Sequence, residues 1–275
     1  MHFIQQCPAS IWCLSILTLF VMLGFSQVVS PSISEEPSTE IYHQQTNENP
    51  PTILLPTMQD HAQAFKALCH SLVPVTDKVT VHTYQIMYGL FLAPLRAKPI
   101  KMLEIGLGCD MSYGPGASLA VWKKYLHADS EIWMADSNQA CVDKFFPQHA
   151  GKHVVVGDQS NLKTVQAWST QIGSDLDLII DDGGHSNVMI KTSLDALWPS
   201  LKVNGGLYFI EDMQVGKDAG WGNGNGGGLH GNLAMADVLQ IWIEFLLLGT
   251  VNQQYPPPSG LQSIFCQREA CVLIK

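Results

Sequence analysis

MLEIGL at Met102–Leu107, running on through GCDM to Met111, decides the fold. Apolar residues around one acid make a short buried strand. The glycines at 106 and 108 then let the backbone turn sharply and approach a ligand with no Cβ in the way. As GxGxxG, the run carries Met111 where the third glycine of a dinucleotide-binding turn belongs. That tells against a nicotinamide cofactor and suits a looser E-x-G-x-G turn.

Outward from this turn the chain alternates. Downstream come a helix at Ala117–Leu126, a strand at Glu131–Ala135, a helix at Gln139–Phe146, a strand at His153–Val156 and a helix at Leu162–Ile172. A strand at Leu176–Ile180, a helix through Met189–Leu201, a strand at Gly206–Ile210 and an apolar helix at Ala234–Leu248 follow. Upstream, Gln59–Leu95 reads as helical, with Phe65, Leu68 and Leu72 on one face. The last two β-rich segments, Leu261–Phe265 and Cys271–Ile274, are joined by only Cys266–Ala270. A parallel pair needs a crossover of about a dozen residues or more, so these two strands are antiparallel. The expectation is an α/β protein with a Rossmann-like, seven-stranded sheet, mostly parallel, closed by a C-terminal antiparallel hairpin and covered by helices on both faces.

Ligands in such sheets lie at the carboxyl ends of the strands. Glu104, Gly106 and Gly108 stand at the first of these ends, Asp136 at the second, and Asp158 with Gln159 at the third. A carboxylate at Asp136 suits two ribose hydroxyls, and an acid beside an amide at 158–159 suits the edge of an adenine. The fourth strand ends in Asp181-Asp182-Gly183-Gly184-His185 and the fifth in Glu211-Asp212. Carboxylates converging there repel one another unless they hold a hard divalent cation, which prefers oxygen ligands. Side chains alternate along a strand, so Asp181 is expected on the cofactor side and Asp182 on the metal side. His185 can then take a proton from a hydroxyl polarised in the same pocket. The glycine-rich run Gly220–Gly231 reads either as a lid over the acceptor or as a disordered surface loop, and Trp221 and His230 receive no role.

With these residues in place, the sequence resembles the metal-dependent sugar O-methyltransferases of macrolide biosynthesis, a branch of the class I S-adenosylmethionine-dependent methyltransferases. The likeness runs from Thr76-Asp77-Lys78, His82 and Tyr84 through Leu103-Glu104-Ile105-Gly106, Gly116–Leu119, Trp122 and Asp158-Gln159 to DDGGH and Ile210-Glu211-Asp212. It implies S-adenosylmethionine as cofactor, held by Glu104, Asp136 and Asp158. It also implies magnesium on Asp182, Glu211 and Asp212, with His185 as general base. The acceptor is then a hydroxyl of a sugar or small polyhydroxylated compound. Gly184 departs from the serine usual in that family. The competing readings are a binding protein that keeps the fold without catalysis and an NAD-dependent oxidoreductase.

The 275 residues carry a formal charge of −9 and no dense Lys/Arg cluster, which tells against nucleic acid as a partner. Ile11–Val29 is an apolar run without a formal charge, so residues 1–30 read as a signal peptide or membrane anchor. Residues 31–55 follow as a polar linker, 56–98 as a helical extension and 99–275 as the α/β domain. The expected location is the secretory pathway, either secreted or anchored in ER or Golgi membrane. Two of the seven cysteines, Cys7 and Cys13, fall at the targeting segment, and the rest show no CxxC or zinc spacing. Cys266 and Cys271 flank the terminal turn and read equally as a disulfide or as two free thiols.

Overall fold

The computed structural model describes residues 56–146, 153–218, 220 and 228–275, all within one compact unit, Ile53–Lys275. The targeting segment, the polar linker and most of the glycine-rich run lie outside the described residues. Among those described, no helix is long and apolar enough to cross a membrane.

The strands are β1 (Lys101–Ile105), β2 (Glu131–Asp136), β3 (Val154–Val156), β4 (Leu178–Asp181), β5 (Leu207–Ile210), β6 (Ser263–Gln267) and β7 (Ala270–Ile274). They form one sheet in the order β3-β2-β1-β4-β5-β7-β6. The first five are parallel, while β7 inserts antiparallel between β5 and β6. The order reverses at β1, between β2 and β4, and there the chain opens a crevice for a ligand.

The helices are α1 (Met58–His70), α2 (Asp77–Thr80), α3 (Gln85–Leu92), α4 (Ala117–Tyr125), α5 (Gln139–Phe145), α6 (Leu162–Ile172), α7 (Asn187–Leu197) and α8 (Met235–Leu248). The helical expectation for Gln59–Leu95 holds at both ends and fails in the middle. Pro74 lacks the amide hydrogen a helix needs, and the chain leaves helical geometry between Ser71 and Thr76. This break makes room for the short α2 and for Lys78 within it. Gly89 lets α3 lie directly on α1, since a Cβ there would stand 2.5 Å from the Ala62 nitrogen.

Two-residue periodicity sorts the sheet into two cores. Leu103, Ile105, Ile179, Tyr208 and Leu273 face α6, α7 and α8, packing on Trp168, Leu194 and Trp242. Met102, Leu178, Ile180, Phe209 and Val272 face the other way, onto Phe65, Tyr88 and Trp122 of α1, α3 and α4. Burying each such side chain is worth about 1.5–3 kcal/mol. The same alternation aims the charged residues. Glu104 follows the face of Met102 and Asp181 that of Ile179.

Among the described residues, two disulfides are present. Cys266–Cys271 closes the β6–β7 turn, settling the alternative the sequence left open. Cys109–Cys141 ties the turn after β1 to the first turn of α5, across 32 residues and with no spacing signal to announce it.

Candidate active site

A cavity of about 380 Å³ opens at the carboxyl ends of β1–β5. Gly106, Gly108, Asp136, Asp158, Gln159, Asp182, His185 and Asp212 all line it, so most of the expected site residues converge.

At one end the wall is backbone. Gly106 has φ +104°, and a Cβ there would lie 2.0 Å from the Asp182 carbonyl, so only glycine fits where β1 meets β4. Gly108, at φ +78°, completes the turn. Asp136 Oδ2 accepts from the Leu107 amide at 3.0 Å and Oδ1 from the Asn138 amide at 2.8 Å. Exposed Asp158 accepts from the Ser160 amide at 2.8 Å. Gln159 is buried, donating to Asp181 at 2.6 Å and accepting from the Gly184 amide at 3.0 Å, so it braces β4 from behind.

Asp181 corrects the expectation that it faces the cofactor. Alternation does separate it from Asp182, but its 1 % exposed carboxylate lies among Gln159, Ser193 and Tyr208 and is not part of the cavity wall. Burial, against those hydrogen bonds, pushes its pKa up to about 6. Glu104 is also off the wall. Its Oε2 accepts from Ser118 and the Trp122 indole, both at 2.8 Å, and its Oε1 has no hydrogen-bond partner.

At the other end the wall is charge. The Lys78 ammonium, fully buried, lies 2.6 Å from Asp182, 2.7 Å from Glu211 and 3.5 Å from Glu104. Burial works against its charge, but Asp182 and Glu211 outweigh burial and hold it protonated well above the ordinary lysine value. One ammonium cannot balance these carboxylates. Burial pushes Glu104 up to about 7 and Glu211 well above the carboxylate range, with repulsion from Asp182 adding to both. Glu211, expected as a metal ligand, gives one oxygen to Lys78 and the other to the Tyr88 hydroxyl. Among the described residues, the group whose ligand atoms gather within 4.8 Å is Asp182, His185 and Asp212. Its two carboxylates are oxygen donors of the kind a hard divalent cation prefers.

His185 and Asp212 have φ of +56° and +54°, rare for residues with side chains, and His185 Nε2 is 3.5 Å from Asp212 Oδ2. Tyr84 donates to Asp212 Oδ1 at 2.7 Å. That hydroxyl, with His185 and His82, overcomes burial and holds Asp212 below the usual carboxylate value. At Gly184 a Cβ would fall 2.1 Å from the Met189 sulfur, so methionine occupies the space a serine would need. Sequence reasoning gave no role to Lys78, His82 or Tyr84. Their place in the resemblance was the only signal.

No family model matches the chain. The MycE methyltransferase of the mycinamycin biosynthetic pathway, solved with Mg, SAH and mycinamycin VI, superposes with a TM-score of 0.56 at 22% identity, over 79% of this chain and 54% of that one. This is the class I methyltransferase fold. Relatives found by sequence are named as O-methyltransferases. The 8-demethyl-8-alpha-L-rhamnosyl tetracenomycin-C 2'-O-methyltransferase of Streptomyces olivaceus is 34% identical over 51% of this chain and 35% of its own length. The mycinamicin VI 2''-O-methyltransferase of Micromonospora griseorubida is 31% identical over 52% of this chain and 34% of its own. The chain thus spans about a third of the length of these curated relatives.

Proposed function

We propose that this protein is an S-adenosylmethionine-dependent O-methyltransferase, assisted by a divalent cation such as magnesium, acting on a hydroxyl of a sugar or small polyhydroxylated compound. The observation that carries the reading is the meeting of Asp182, His185 and Asp212 on the wall of a cavity whose far end is shaped by Gly106, Gly108 and Asp136. Asp136 and Asp158 face the ribose and adenine of the cofactor, with Gln159 behind them. Asp182 and Asp212 hold the cation. Glu211 stays with Lys78, whose ammonium also fixes Asp182.

When bound, the cofactor would supply an electrophilic methyl and the cation would lower the pKa of an acceptor hydroxyl. His185 Nε2 would take the proton that hydroxyl gives up as the methyl passes from sulfur to oxygen. The formal charge of −9 supports a small-molecule acceptor over a nucleic acid. The two disulfides support the proposal that the protein works in an oxidising, secretory compartment.

Calorimetry with S-adenosylmethionine, with and without magnesium, tests the reading. Well-folded protein that binds no cofactor would end it. Asp182→Ala should abolish magnesium-dependent turnover with cofactor affinity kept. His185→Ala should slow the chemical step by about 10²–10⁴-fold with the cation still bound. Loss of the cation in that variant would make His185 a ligand rather than the base.

A further inference from the structure

The candidate cation site is braced from the far end of the chain. His82 lies between two carboxylates, with Nδ1 2.8 Å from Glu269 Oε2 and Nε2 3.4 Å from Asp212 Oδ1. Its ring stacks on Tyr84 at 4.7 Å and 9°. Tyr84 in turn donates to Asp212 and accepts the Asp212 amide hydrogen at 3.1 Å. Glu269 sits in the β6–β7 turn closed by Cys266–Cys271, and its carbonyl accepts from the Met213 amide at 2.8 Å. Gln267 of the same hairpin donates to the Thr83 carbonyl at 3.1 Å and accepts from the Met87 amide at 3.0 Å. The hairpin therefore grips Asp212 through the residue after it and also grips the segment that carries His82 and Tyr84.

Glu269 is an odd choice for its position. Its φ is +69°, where a tight turn favours glycine, asparagine or aspartate. It does not line the cavity, so its carboxylate touches no reacting atom. Its Oε1 accepts from the exposed Arg268 at 3.2 Å, and its Oε2 touches His82.

We propose that Glu269 is a positioning residue. It fixes the His82 ring, and through His82 and Tyr84 it sets the Asp212 carboxylate for the cation. The C-terminal hairpin thereby governs cation affinity without contributing a ligand. This rests on the cation site proposed above. Partners of this kind, which orient a metal ligand from behind, are typically worth about 10–100-fold in metal affinity.

Glu269→Gly separates positioning from support, because glycine suits the turn and removes only the carboxylate. In the full chain, Mn²⁺ titration followed by electron paramagnetic resonance should show affinity weakened about tenfold. S-adenosylhomocysteine affinity should stay within about twofold and the thermal midpoint should not fall, since the change leaves the turn unstrained. Glu269→Gln, which keeps an acceptor oxygen for His82 Nδ1, should recover most of the loss. Unchanged Mn²⁺ affinity in Glu269→Gly overturns the proposal, as does a parallel loss of S-adenosylhomocysteine binding. Wild-type protein that takes up no Mn²⁺ overturns the cation site itself. The ¹⁵N resonances of the His82 ring then report on Glu269 separately. A shift in Glu269→Gly supports the contact, and an unmoved spectrum removes it.

Discussion

At the proposed cofactor end of the cleft, Asp136 and Asp158 each accept a hydrogen bond from the amide two residues further along, and their longest reach is that of Asp136 to the Leu107 amide, 29 positions away. At the reaction end, Lys78 reaches Asp182 across 104 positions and Glu211 across 133, while His82 reaches Glu269 across 187. The first end is shaped by turns, with its acids near water. The second is assembled by tertiary structure around buried charge. An end built from local turns can keep its shape when one side chain is lost. An end built around one shared ammonium cannot, because Lys78 is the one cation that Asp182, Glu211 and Glu104 have in common.

The largest test of that contrast is Lys78→Met. It leaves Asp182 and Glu211 facing each other with no cation between them. Removing one partner of a buried ion pair costs about 3–5 kcal/mol, which urea unfolding at neutral pH should register. Adding Glu211→Gln should restore part of the loss. A single variant that unfolds at the wild-type midpoint would show that the reaction end is not held by charge.

Asp136→Ala probes the local end and should be gentler on the fold. Hydrogen bonds to a charged group contribute about 1.5–3 kcal/mol, so S-adenosylmethionine affinity should drop roughly ten- to hundredfold. Magnesium affinity should be unaltered in the same calorimetric experiment. If both fall together, the two ends are not independent.

The smallest effect is a pH dependence. Burial raises Asp181 from 3.8 to about 6 in the folded chain, so between these values the native state binds more protons than the unfolded one. Stability from this group therefore declines as pH rises through that window, and the full cost is present above it. Asp181→Asn removes the titration. Relative to wild type, the variant should gain in urea midpoint between pH 5 and pH 7. A constant offset across that range would place the Asp181 pKa near its ordinary value.

The sequence made the sheet readable because each strand there is short, apolar and followed by a turn residue, and the five-residue link before β7 forced an antiparallel pair. That Asp136, Asp158, Asp182, His185 and Asp212 line one cavity was readable too, because strand ends are where a doubly wound sheet presents side chains. Asp181 was misplaced because alternation says that neighbours diverge but not which side holds the ligand. Ser193 and Tyr208 decide that, and both come from elements folded later in the chain order. Glu211 was given to a metal because no basic residue stands near it in sequence, while in space Lys78 arrives from α2. Cys109–Cys141 escaped for a similar reason. Its partners are neighbours only once β1 and β2 lie side by side.

His185 and Asp212 both adopt backbone angles that glycine takes without penalty. Left-handed conformations in residues with side chains cost on the order of 1–3 kcal/mol each. Anyone redesigning this protein for heat tolerance would be drawn to put glycine at both positions, and would gain a sturdier fold by stripping the proposed cation site of an imidazole and a carboxylate.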